Sequence, residues 1–381
     1  MKRSIHAVFA GVMCALMADV AAAASAITVD GVAQRWPWNN KIDITYTVSG
    51  GQNVAAGVYA KVVFTATVGG QTYTIDGMSD VVADSTDGQH TVAYELPAGL
   101  RAKGCTMTAK LVSTDAPCGD DYMVVDLASG RITWEGLSGS QEASNARYNT
   151  DLYKTDKLVL RKYPAGSYFY SSTWRNTDRA FYAGVFPVTS AQYAKICGGS
   201  GDAKPKANVS WYALRGADLW PHDAIPAVES DTGTFFQRLN FLTKRYFDLP
   251  TEQMSEIVVR DGSIETYAWG GAMDTNYIVC SENSGGGKVA VGSRLPNTKG
   301  IFDASGNVWE FCLDGDGEAA ANPFVPKKIP TLGSTRAIRG GGSYGDSSAS
   351  NWLYFTVSGR NGQTPTATAP WTGFRVFHIV K

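Results

Sequence analysis

Seven consecutive residues, Ile42-Asp43-Ile44-Thr45-Tyr46-Thr47-Val48, alternate between apolar and polar side chains. A period of two sends successive side chains to opposite faces, so such a run fits a half-buried β-strand and not a helix. Ser49-Gly50-Gly51 then closes the run. The same pattern returns at 59–68 before Gly69-Gly70, and again at 72–75, 91–96, 107–112 and 123–127. Short strands separated by turn signals predict an antiparallel β-sandwich over residues 27–130, of immunoglobulin or fibronectin type. His90 lies beside a turn in this region and reads as a surface residue.

Composition narrows the class further. Only 18% of residues are charged and 41 are glycine, which suits a loop-rich, β-leaning globular chain. The net charge is −1 and the basic residues are scattered, so the electrostatic footprint of nucleic-acid binding is missing. Residues 1–26 read as a secretory signal. Lys2 and Arg3 precede an apolar run from Ile5 to Met17, and Ala21 to Ala26 supply small residues for cleavage. Asp19 cuts the run short of the roughly 20 residues a spanning helix needs, and no later stretch is long and apolar enough. The expectation is an exported protein with no membrane span in the mature chain. Export permits disulfides. Cys105 and Cys118 are the nearest candidates for pairing, whereas Cys197, Cys280 and Cys312 leave at least one odd thiol.

Residues 131–153 are polar and irregular and read as a linker. Strand character resumes at 157–160, and a second domain is expected over 154–381. Its blocks run in a fixed order. Leu160-Arg161-Lys162-Tyr163-Pro164 is followed by Phe186-Pro187-Val188-Thr189-Ser190-Ala191-Gln192-Tyr193, where Thr189 or Ser190 can cap a helix carrying Tyr193 and Ile196. Val209-Ser210-Trp211, 236–240 and Leu249-Pro250-Thr251-Glu252 come next, the last with Ser255 and Glu256 further on. Then come Trp269-Gly270-Gly271 and the longest block, Pro296-Asn297-Thr298-Lys299-Gly300-Ile301-Phe302-Asp303-Ala304-Ser305-Gly306-Asn307-Val308-Trp309-Glu310-Phe311-Cys312. Arg339-Gly340-Gly341-Gly342-Ser343-Tyr344 and Gly373-Phe374-Arg375-Val376 complete the series.

In this order the blocks resemble the formylglycine-generating (sulfatase-modifying) enzyme family. The resemblance implies an α+β, loop-rich fold related to C-type lectins, following the N-terminal sandwich. Family members that oxidise cysteine use two cysteines just after the R-G-x-S element, since thiolates are soft enough to hold Cu(I). The matching stretch here, 345–352, contains no cysteine, and none follows Cys312. No copper is therefore expected. The ergothioneine-type branch of the family uses histidine-held iron. The three mature histidines, His90, His222 and His378, are far apart in sequence and do not suggest such a site. The family's G-N-x-W-E turn implies a structural Ca²⁺ at Asn307, the Val308 carbonyl and Glu310, hard oxygen ligands suited to that ion. Asp314-Gly315-Asp316-Gly317-Glu318 lacks the remaining ligands of a calcium loop and reads as a solvated turn.

What remains is a binding surface. Trp309 and Ser343 match family pocket positions. Tyr344, Asp346, Ser350, Asn351, Trp352 and Tyr354 follow, with Arg360 beyond them. Small polar and aromatic side chains together suit adaptable recognition. The expected function is non-oxidase binding or display of an unidentified ligand, protein or glycan. The rival expectation is a divergent oxidoreductase of the same family.

Overall fold

The computed structural model describes residues 26–34, 41–49, 59–68, 70–75, 87–95, 102–103, 105–114, 120–170, 172–216, 233–315, 323–324, 334–342 and 349–380. The period-two runs become strands β1 (Ala26–Gln34), β2 (Lys41–Ser49), β3 (Tyr59–Val68), β4 (Gln71–Ile75), β5 (Gly88–Glu95) and β6 (Thr106–Thr114). They form two three-stranded antiparallel sheets, ordered β1-β2-β5 and β4-β3-β6. The apolar side of the alternation points where it should. Ile42, Ile44, Tyr46 and Val48 of β2 share one buried cluster with Val62, Phe64 and Ala66 of β3.

The chain next builds β7 (Tyr122–Asp126), β8 (Ile132–Glu135), α1 (Gln141–Tyr148), α2 (Leu152–Thr155) and β9 (Lys157–Tyr163). Two expectations are corrected here. The run at 123–127 is a strand, but it pairs with β8 and β9 and not with the sheets before it. Residues 131–153 are not an irregular linker, because they carry β8, α1 and α2. Polar composition misled because α1 presents amides to its neighbours. A Cβ on Gly300 would meet Asn145 Oδ1 and Gln141 Nε2, and one on Gly292 would meet Asn149 Oδ1. The glycines leave room for those side chains.

The remaining elements are the hairpin β10 (Gly166–Tyr170) and β11 (Thr173–Thr177), β12 (Phe181–Gly184), then α3 (Ser190–Cys197), α4 (Trp211–Arg215), α5 (Phe235–Thr243), α6 (Glu252–Arg260) and α7 (Ser281–Ser284). Strands β13 (Trp309–Gly315), β14 (Arg336–Arg339), β15 (Arg360–Gln363), β16 (Thr372–Gly373) and β17 (Phe377–Ile379) follow. A 3-10 helix, Ala349–Phe355, lies between β14 and β15. The main sheet is ordered β17-β12-β9-β7-β8, and a second one β15-β14-β13-β16. Of the two residues proposed to cap α3, Thr189 is the one that does so. Its hydroxyl accepts from Gln192 N–H while the Gln192 side chain accepts from Thr189 N–H. Tyr193 and Ile196 pack on the core below, as their spacing predicted. Among the described residues no helix is long and apolar enough to cross a membrane.

Candidate functional site: an aromatic face on a buried arginine–carboxylate frame

Helix α6 is buried along its whole length despite its charges. Glu252, Glu256 and Arg260 recur every four residues and so share one face. Arg260 Nε donates to Glu256 Oε1 at 2.7 Å. Arg339, at the end of β14, donates to Glu256 Oε2 at 2.9 Å and to the carbonyls of Ser358 and Gly359. Arg360 grips Glu252 with two bonds, of 2.6 and 3.0 Å. Buried charges persist only when paired and hydrogen-bonded. The frame therefore fixes the ends of the segment between β14 and β15. Arg360, expected among the ligand contacts, keeps its side chain 37% exposed while it holds Glu252.

A second pair locks the 302–310 turn. Arg375 donates to both oxygens of Glu310, at 2.8 and 3.0 Å, and to the carbonyls of Gly184, Phe302 and Asp303. Asn307 takes a left-handed φ of 65° and closes the turn. Its Oδ1 accepts from Val289 N–H, and its Nδ2 donates to the Val289 carbonyl and to Asp303. Val308 is fully buried. The Asn307 and Glu310 side-chain atoms expected to ligate calcium are thus engaged within the protein. No cluster of three His, Cys, Asp or Glu able to hold a metal occurs among the described residues. Asn307, Val308 and Glu310 lie in a turn locked by Arg375. Asp314 is also not in a solvated turn: it is buried in β13 and accepts from Glu252 N–H at the start of α6.

Over this frame lies an aromatic face. Trp309 is buried, with Tyr354 edge-on at 5.2 Å. Gly341 and Gly342 are needed beside it. A Cβ on Gly341, where φ is 75°, would stand 2.7 Å from the Phe355 ring, and one on Gly342 2.9 Å from Trp309. Trp352 and Trp269 each pack against the buried cluster of Tyr267, Ile278, Cys280 and Phe355. Trp269 is stacked on Tyr267 (5.2 Å between centroids) and on Tyr277 (4.9 Å), within 13° of parallel in both cases. Next to this stack is a groove of about 120 Å³, bounded by Trp269, Tyr277, Leu295, Asn297, Thr298 and Ser305, among others. Every residue lining it is uncharged.

Trp309, Trp352 and Tyr354 are therefore brought to one region. Ser343, Tyr344 and Asp346 lie outside the described residues. Ser350 and Asn351 sit on the 3-10 helix, and their side chains are likewise outside the description. The groove residues Tyr277 and Leu295 were not singled out from the sequence, whereas Thr298 lies within the P-N-x-x-G block. Cys105, Cys197, Cys280 and Cys312 are free thiols. The proposed partner Cys118, like His222, is outside the described residues. Burial pushes the Cys312 thiol well up, away from the reactive thiolate form.

Together the fold and site define a β-rich domain whose loops hang on buried arginine–carboxylate pairs and present aromatic side chains. A model of the sulfatase-modifying factor enzyme 1-like domain matches residues 164–379, more than half of the chain, and the chain belongs to that family. It is 29% identical over 143 residues to the formylglycine-generating enzyme of Streptomyces coelicolor, covering 33% of this chain and 45% of that protein. It is 30% identical over 146 residues to the enzyme of the same name from Thermomonospora curvata, covering 33% and 48%. The chain spans less than half the length of the curated relatives it matches. Similar solved structures include Treponema denticola variable protein 1 (TM-score 0.46, 18% identity, 58% of this chain and 95% of that one). PvdO from Pseudomonas aeruginosa is another (TM-score 0.47, 17% identity, 58% and 94%).

Proposed function

We propose that this is an exported, non-oxidase member of the family that binds a ligand on its aromatic face, with the N-terminal sheets serving as an immunoglobulin-like spacer. One observation carries the reading. No cysteine occurs in 345–352 or anywhere after Cys312, while the groove beside Trp269 is walled by aromatic and uncharged polar side chains. Thiol oxidation on this fold needs thiolate ligands for copper, whereas binding needs a concave, largely apolar surface with a few placed polar groups. The test is a ligand array probed with the mature chain and with Trp352→Ala. Specific binding that this variant loses supports the proposal. Signal at background for both proteins would sink it.

The rival reading, a divergent oxidase, is favoured by the names of the two formylglycine-generating relatives. A cysteine-peptide oxidation assay with added copper separates the two. Turnover abolished by Cys280→Ser or Cys312→Ser would establish the rival.

A further inference from the structure

We infer that the groove beside Trp269 is a subsite for a neutral sugar ring. The inference rests on the binding reading above and adds to it the place and the ligand class. Trp269 is stacked on both Tyr267 and Tyr277, and Trp269 and Tyr277 line the groove, so its aromatic lining is in place before any ligand arrives. Aromatic side chains present π-electron-rich faces, which attract the weakly positive C–H groups on one side of a pyranose. Other lining residues carry uncharged hydrogen-bonding groups. The Thr298 hydroxyl donates to Asp261, which leaves its lone pairs to accept. Asn297 is held in place by donating to the Val258 carbonyl and accepting from Ile301 N–H. Aromatic lining together with uncharged donors and acceptors complements a polyol that has one C–H face. A charged ligand would find no counter-charge among the lining residues.

The side chains are fixed by the protein, so little conformational entropy is lost on binding. The experiment is calorimetric titration of the mature chain with maltose, cellobiose, lactose and chitobiose, repeated with Trp269→Ala, Thr298→Val and Trp352→Ala. Trp174→Ala is the control, since Trp174 is exposed on the β10–β11 hairpin. Thermal melting establishes that each variant is folded, and Thr298→Val keeps the side-chain shape should Trp269→Ala unfold. The expected result is saturable binding of at least one disaccharide, weakened roughly tenfold or more by Trp269→Ala and by Thr298→Val, and unchanged by Trp174→Ala. Sugar binding lost in Trp352→Ala but intact in folded Trp269→Ala and in Thr298→Val would overturn the groove assignment and leave the binding reading standing. No heat with any of the four sugars would overturn the inference.

Discussion

At Glu310, two short bonds from Arg375 replace water around a buried carboxylate. Removing one partner of such a pair leaves the other charged and unsolvated. Arg375→Gln is therefore expected to destabilise the chain by about 3–5 kcal/mol, read from the shift in a urea unfolding midpoint. Asp261 tests the opposite situation. Burial raises its carboxyl above the usual range, against the pull of Thr298 and Lys299. Its Oδ1 is buried without a hydrogen-bond partner, and Oδ2 accepts from both neighbours. A raised carboxyl holds its proton in the folded state at a pH where the unfolded chain has released it. The stability contributed is full below the unfolded value of about 3.9 and is lost as pH rises through the folded value. Asp261→Asn mimics the protonated form. Its melting temperature relative to the parent should rise between about pH 4 and pH 7, and a fall would mean that the direction is wrong.

At the scale of elements, β7 and β8 decide where the second unit begins. Met123 and Val125 of β7 are fully buried, and the strand lies between β9 and β8. A chain beginning at residue 120 should keep a cooperative thermal transition, followed by circular dichroism. One beginning at 154 should lose it, because Leu158 and Leu160 of β9 would be left on an open edge. Equal transitions for the two would show that β7 is dispensable. Helix caps act on the same scale. Thr189 bonds Gln192 N–H and also donates to the Lys154 carbonyl, so Thr189→Ala should cost about 0.5–2 kcal/mol in the same denaturation assay.

For the molecule as a whole, the calcium expectation has a direct measurement. With Glu310 held by Arg375, chelation should leave the melting temperature unchanged. Stoichiometric calcium by mass spectrometry, with a lower melting temperature after its removal, would return Asn307 and Glu310 to the role implied by the family resemblance.

The strands β2 to β6 were legible because alternation is local, each side chain's face following from its position alone. The cap at Thr189 was legible for the same reason. The ordered blocks from Leu160 onward marked the family, and the missing cysteines were plain to read. Other features depended on partners distant in sequence. The pairing of Arg360 with Glu252, 108 residues earlier, could not be read locally. Asp314 looked solvated until the start of α6 met it. The 131–153 segment looked like a linker because its polar side chains pack beside loops at 292 and 300 that are far off in sequence. The aromatic wall of Tyr267, Trp269 and Tyr277 exists only where a loop folds back on itself. Sequence determined which residues prefer strand, cap or turn, because those preferences act over a few bonds. Only the tertiary structure decided which charges pair and which rings meet, because contacts such as Arg375–Glu310 and Arg360–Glu252 close across 65 and 108 residues.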